Sequence, residues 1–165
     1  MSSTTANRGK AFEALVSRSL HAMPGWSMRI QDGGAASRLA TVADFFYGRD
    51  DMPSWYAIEA KSVRAKSFPL RNIGYGEPCG QLARLRRFQR AEANRRAFIA
   101  LSFEGRPYLV PIDAFVRIAD ACAARGRQSV PESALAEYGQ MFTRNETGAK
   151  VIAFDFDGEE AHHGA

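Results

Sequence analysis

One α/β domain is the fold class this sequence predicts, and three observations predict it. Apolar residues recur at helical spacing in separate stretches, strand-like runs lie between them, and proline or glycine marks the joins. A chain of 165 residues is long enough to bury a core without disulfide or metal staples. With 45% hydrophobic and 24% charged residues it has the composition of a soluble globular protein. It contains no internal repeat and no low-complexity segment.

The elements follow in order. Residues 1–6 are small and polar and read as a disordered leader to a single domain spanning 7–156. From Asn7, a suitable N-cap, to Met23 the pattern is helical, with Phe12, Leu15, Val16, Leu20 and Met23 on one face. Pro24-Gly25 ends the helix, and Trp26–Ile30 reads as a short strand. Gln31–Arg38, holding Gly33-Gly34, is a turn or loop. Strands are expected over Thr41–Tyr47 and Trp55–Lys61, joined by the polar turn Gly48–Pro53. Ser62–Pro78 is irregular, and a second amphipathic helix spans Gly80 to Asn94. Ala97–Phe103 and Tyr108–Pro111 form a hairpin turned at Glu104-Gly105-Arg106. Ile112–Arg125 is helical, a shorter helix follows Pro131, Lys150–Phe156 is a last strand, and 157–165 is a disordered tail. The predicted order of the core is helix, three strands, helix, two strands, helix.

The 22 Lys and Arg against 18 Asp and Glu leave a net charge of +4, modestly basic and compatible with nucleic acid. The charge is concentrated: Arg84, Arg86, Arg87, Arg90, Arg95 and Arg96 face the single acid Glu92 within one short stretch. Cys79 and Cys122 lack metal-ligand spacing and need no bridge. With no secretory signal and no apolar run of spanning length, a reduced, cytoplasmic protein without membrane contact is expected. The sequon Asn145-Glu146-Thr147 carries no weight there.

The chemistry concentrates in Tyr56-Ala57-Ile58-Glu59-Ala60-Lys61. Alternate strand residues share a face, so Glu59 and Lys61 project together while Tyr56, Ile58 and Ala60 face away. An acid and a lysine in an apolar strand are costly unless solvated, paired or bound to metal. Asp44 is likewise a lone carboxylate in Val42-Ala43-Asp44-Phe45-Phe46. Two carboxylates on neighbouring strands can share a hard divalent cation, with water and substrate phosphate completing its shell. A lysine beside them can orient or deprotonate the attacking water, or stabilise charge on the phosphate. Glu13 sits at the edge of the first helix's apolar face, and Gln81 shares a stripe with Leu85 and Phe88. Arg86, Arg87 and Arg90 occupy the opposite, solvent-facing side of that helix, where phosphates can be met. Each feature alone has a plainer reading: an exposed ion pair for Glu59 and Lys61, a turn carboxylate for Asp44, a solvated helix residue for Glu13, a polar helix start for Gln81, and a solvated face for the arginines. Their order and spacing together favour a site.

That arrangement resembles the PD-(D/E)xK nuclease superfamily and, within it, Holliday junction resolvases of the RecU/Hjc type. Asn7-Arg8-Gly9-Lys10 ahead of Glu13, then Glu59-Ala60-Lys61, and then Lys66-Ser67-Phe68-Pro69-Leu70 carry the resemblance. It continues through the Gln81 helix to Tyr108-Leu109-Val110-Pro111, covering roughly residues 7–115. It implies a restriction-endonuclease-like core, a mixed central sheet flanked by helices, and a homodimer that nicks four-way DNA junctions symmetrically. Mg²⁺ is the implied cofactor, with Mn²⁺ able to substitute. Asp44 and Glu59 would hold the metal, Lys61 would serve the nucleophile, and Glu13 and Gln81 would complete the catalytic set. Arg8, Lys10, Arg29 and Lys66 would meet DNA beside Arg86, Arg87 and Arg90. Phe68, Leu70, Ile73 and Tyr75 are candidates for the dimer contact or for local core. Two features depart from the pattern. Val42-Ala43 stand where the family name has proline, and only Gln31–Ala43 separate the first strand from Asp44, where RecU-type proteins carry a long protrusion. Other readings are a restriction-type or repair endonuclease of the same fold, an inactive DNA-binding module, and an RNA-processing nuclease, since backbone contacts barely distinguish the two nucleic acids.

Overall fold

The computed structural model describes residues 3–30 and 41–157, the side chains of residues 3–6 apart. The loop expected at 31–38 and the tail 158–165 lie outside the described residues. Helix α1 runs Ser3–His21, so the backbone of 3–6 belongs to it. Asn7 therefore lies inside the helix and does not cap it, because nothing in Ser-Thr-Thr-Ala breaks helical backbone. The turn after it brings Gly25, at φ +120°, against Gly48, whose carbonyl oxygen would lie 2.2 Å from any Cβ at position 25. Only glycine fits that close approach.

Five strands form the central sheet in the order β1-β2-β3-β5-β6: β1 Trp26–Arg29, β2 Phe45–Gly48, β3 Trp55–Val63, β5 Arg95–Phe103 and β6 Arg106–Pro111. The two outer pairs on one side, β1–β2 and β2–β3, are antiparallel, as is β5–β6, while β3 and β5 are parallel. The parallel step needs a crossover, and α2 (Gln81–Ala91) supplies it. That helix stops three residues short of the expected Asn94, because Glu92 turns extended to feed β5. The irregular stretch is more ordered than expected. β4 (Ser67–Pro69) pairs with β7 (Ser129–Pro131), and a 3₁₀ turn covers Leu70–Ile73. Phe68, Leu70 and Ile73 are buried there, and half-buried Tyr75 bonds Asp120 at 2.7 Å. Phe68, Leu70 and Ile73 are local core and present no surface to a second subunit.

Alternation along the strands divides the core in two. Ala57, Ala97, Ile99 and Val110 face α2 and α3 (Ile112–Ala124), together with Phe68 and Phe115. Tyr56, Ile58, Phe98, Ala100 and Leu109 face α1. The last segment closes the α1 side. The expected strand at Lys150 ends at Ala153 (β9) and pairs with β8 (Met141–Arg144), a hairpin partner the sequence did not reveal. The Ser19 hydroxyl accepts the Ile152 N–H at 2.8 Å and donates to the Leu15 carbonyl, tying β9 to α1. Phe156 then packs among Tyr47, Tyr56 and Phe98. The expected helix after Pro131 is the 3₁₀ segment Glu132–Tyr138, and Asp157, assigned to the tail, pairs with Arg49 at 2.8 Å. At the far end of β3, Trp26 and Trp55 meet edge to face, centroids 5.0 Å apart. The Trp26 indole lies so close over Gly48 that a Cβ there would come within 2.5 Å of it.

Candidate active site

Asp44 does not sit inside a strand. The β2 ladder begins at Phe45, one residue later, and β3 runs on past it. The Asp44 carboxylate accepts the Ala60 N–H at 2.8 Å, in place of a strand carbonyl, while its own carbonyl accepts from Ile30 N. Continuing the Phe45–Ile58 register by one step sets Asp44 opposite Glu59 on the α2 face of the sheet. Glu59 is 4% exposed, a charged group inside the core of the molecule. One of its oxygens takes the Lys61 ammonium at 2.7 Å and the other takes Gln81 Nε2 at 2.8 Å. Gln81 opens α2, and the same amide donates to the Val42 carbonyl at 2.6 Å, joining helix, β3 and the approach to Asp44.

Burial dominates the electrostatics of Glu59. It raises the carboxyl from 4.5 to about 7, with the Asp44 charge adding to the rise and Lys61 and Arg84 opposing it. The Lys61 ammonium responds the other way. Burial lowers its pKa, but Glu59, Asp44 and Glu13 together outweigh this and raise it, so Lys61 stays charged at neutral pH. Glu13 thus stands near Lys61, and it is also ion-paired with Arg29. Of the five residues expected as a catalytic set, Asp44, Glu59, Lys61 and Gln81 are brought together on the α2 face of the sheet, while Glu13 stays on α1, paired with Arg29, its charge felt at Lys61.

Among the described residues there is no group of three or more His, Cys, Asp or Glu that could enclose a metal unaided. Two carboxylates, one of them buried and pushed above its ordinary pKa by that burial, nevertheless suit a hard divalent cation of the Mg²⁺ kind. Such a cation keeps several waters and takes one or two protein carboxylates plus substrate phosphate. Its charge would offset the penalty that burial places on ionised Glu59.

Arg84 was overlooked by the sequence reading, which counted it only in the arginine run. It is half-buried, its Nε donating to the Thr41 carbonyl at 2.9 Å and its Nη1 to the Cys79 carbonyl at 2.6 Å. Its Nη2 donates to Gln81 Oε1, which leaves the Gln81 amide nitrogen facing Glu59. The signal was present: Arg84 follows Gln81 by three residues, the spacing of neighbours on a helix face.

The expected DNA-contacting residues are dispersed. Arg8, Lys10, Arg29 and Lys66 are exposed, as are Arg87 and Arg90. Arg86 departs from its expected solvent-facing position: it is half-buried, and its Nε is buried without a partner among the described residues. The α2 helix leans on β5, and its flank at Arg86 is covered.

The architecture is restriction-endonuclease-like: a mixed five-stranded sheet with helices on both faces. No family model matches the chain, and no curated protein does. Solved structures do match it. One is Hjc of Archaeoglobus fulgidus, a Holliday junction resolvase from an archaeal hyperthermophile, at 19% identity and a TM-score of 0.53 over 79% of this chain and 93% of that one.

Proposed function

We propose that this protein is a Mg²⁺-dependent endonuclease that resolves four-way DNA junctions by hydrolysing phosphodiesters in opposed strands. The observation that carries the reading is the convergence of Asp44, Glu59, Lys61 and Gln81 on the α2 face of the sheet. The fold it shares with an archaeal resolvase supports the same reading. Asp44 and Glu59 would hold the cation, which when bound supplies Lewis acidity at the scissile phosphate. Gln81 fixes one Glu59 oxygen through Nε2, which also donates to the Val42 carbonyl. Lys61, kept charged by three carboxylates, acts as a donor to the phosphate as negative charge builds on its oxygens. A charged lysine is a poor base, so the stabilising role fits it better than proton abstraction. Glu13 balances Lys61 from α1, and Arg29 holds Glu13. The exposed cations Arg8, Lys10, Lys66, Arg87 and Arg90 would meet phosphates without reading sequence. Two opposed cuts call for two sites, so the working form is a C2 homodimer.

The test compares end-labelled four-way junction, duplex, flap and single strand with Mg²⁺ or Mn²⁺. Junction cleavage is expected to exceed the others. Asp44→Asn and Glu59→Gln should abolish it while the fold and junction binding persist, and Lys61→Ala should slow it by orders of magnitude with little loss of affinity. Full metal-dependent cleavage by either carboxylate variant would overturn the assignment.

A further inference from the structure

Beyond Lys61 the chain of β3 enters a second concavity on the other face of the sheet. Ser62, the next residue, lines a groove of about 890 Å³ between α1 and the ends of β3 and β5, closed at one lip by Glu104-Gly105. These two strands run parallel, so both carboxyl ends open into it, the customary place for a ligand beside a parallel sheet pair. The volume lies in the range of sites that hold small organic ligands. Its floor is apolar, made by Phe12, Leu15, Val63 and Pro69.

Three groups of the polar lining, Ser102, Arg8 and Arg64, have no hydrogen-bond or ion-pair partner among the described residues. Ser102 pairs with Ser62 in the β3–β5 register, is 4% exposed, and its hydroxyl makes no hydrogen bond among the described residues. Facing the groove and unpaired, this hydroxyl is free to accept from a ligand or donate to it. Arg8 and Arg64 also line the groove, both exposed and neither ion-paired among the described residues. The one acid there, Glu104, faces Arg106 at 3.5 Å. Cations and hydroxyls over an apolar floor match a phosphate joined to a flat base.

We infer that this groove takes an unpaired nucleotide of the DNA strand held at Lys61, an inference that rests on the nuclease reading. A double helix is too wide for the space between α1 and the sheet. A strand that passes from the α2 face round the end of β3 has therefore left its duplex. The base lies on Phe12 and Leu15, and the phosphate meets Arg8, Arg64 and the serine hydroxyls. Recognition of branched DNA then comes from a nucleotide that duplex DNA does not release.

The full-length protein, free of divalent ions, is titrated with fluorescent hexathymidylate and, separately, with blunt duplex of equal charge. Binding of the hexamer is expected to shift the Ser62, Ser102 and Gly105 amide resonances. Arg64→Ala should lower the salt slope of hexamer binding by about 0.7, the share of one phosphate on a single strand. Ser102→Val should weaken it about fivefold, the loss of one hydrogen bond, with duplex affinity unchanged in both. Arg64 is exposed, so its variant reports even where Ser102→Val misfolds. Unshifted resonances and unchanged hexamer binding in a protein that still cleaves junctions overturn the groove assignment and leave the nuclease standing. Hexamer binding with these variant effects, in a protein that cleaves no DNA, overturns the nuclease and upholds the groove. A changed oligomeric state in Arg64→Ala, with hexamer binding intact, assigns the groove to a second copy and overturns the inference.

Discussion

At Glu59 the needs of the fold and of the proposed chemistry oppose each other. Its folded pKa of about 7 lies above the 4.5 of the exposed acid, so the folded state holds the proton more tightly than the unfolded one. Stability from this group is therefore full below about pH 4.5 and is lost as pH rises toward 7, on the order of 3 kcal/mol in all. Without divalent ions, Glu59→Gln should melt above wild type at pH 8, with the gap closing near pH 5. Mg²⁺ should narrow the gap at pH 8 by stabilising only wild type. Equal melting temperatures at both pH values would mean that Glu59 is better solvated than its burial implies. Arg84 yields a second expectation. Arg84→Ala frees Gln81 to turn its amide, and calorimetric Mn²⁺ affinity should fall about tenfold, as for other groups that orient metal ligands. Arg84→Lys should not restore it, since one ammonium cannot span the Thr41, Cys79 and Gln81 acceptors in the guanidinium's planar fork. Unaltered affinity in the alanine variant would reduce Arg84 to packing. The residues with charge in apolar surroundings, Asp44, Glu59 and Lys61, were legible in the sequence because that placement is costly. Arg84 was not, because its work is done against backbone carbonyls that no pattern of residue types displays.

Among the elements, the strongest local signals held. Strand β3, helix α2 and the β5–β6 hairpin all appear where periodicity and turn residues placed them, within a few residues at the ends. The short elements were harder to read. β4 and β7 are three residues each and are specified by each other across the chain, and β8 takes its identity from β9. A three-residue strand leaves no period to detect. The 3₁₀ segment after β7 is held to β6 by one cluster. Arg106 donates to both Glu132 oxygens at 2.7 and 2.8 Å, and the Tyr108 hydroxyl donates at 2.6 Å. The Arg106 hydrogen bonds first, then Tyr108, hold the Glu132 carboxyl down at about 2. A depressed acid stabilises above its unfolded value of 4.5, and that contribution is lost as pH falls from there toward 2. Glu132→Gln should thus cost ~1 kcal/mol at pH 7, a figure kept small because Arg106 is half exposed. The deficit should vanish near pH 2 in acid titrations followed by circular dichroism. A deficit that stays constant with pH would make the cluster a matter of shape instead of charge.

At the scale of the molecule, the sequence conveyed the sheet-and-helix plan and the location of its chemistry, but not the role of the final third. Residues after Phe115 close the α1 side with β9 and Phe156 and brace the far side with β7. Their signals are pairings with distant segments, invisible along one chain. Burial of Phe68, Leu70 and Ile73 also removes the surface first considered for a dimer. A dimer remains part of the proposed function, because paired cuts need two centres. Light scattering at micromolar concentration should give twice the 18.2 kDa chain mass, and junction products should carry nicks at symmetric positions in opposed strands. A monomer on and off the junction, with uncorrelated nicks, would leave a nuclease without the resolvase activity.

The edge-to-face indoles have an optical consequence. The chain contains two tryptophans, Trp26 at the first residue of β1 and Trp55 at the first residue of β3, and they meet at the end of β3 away from Lys61. All indole emission therefore comes from one corner of the molecule, where β1 and β3 are held across Gly48. At a centroid separation of 5.0 Å the strong far-ultraviolet transitions of the two rings couple, and a paired ellipticity band is expected that lasts only while those strands stay together. Unlabelled protein thus carries its own spectroscopic ruler for the β1–β2–β3 corner, at the end of β3 away from Lys61, so its signal follows the scaffold.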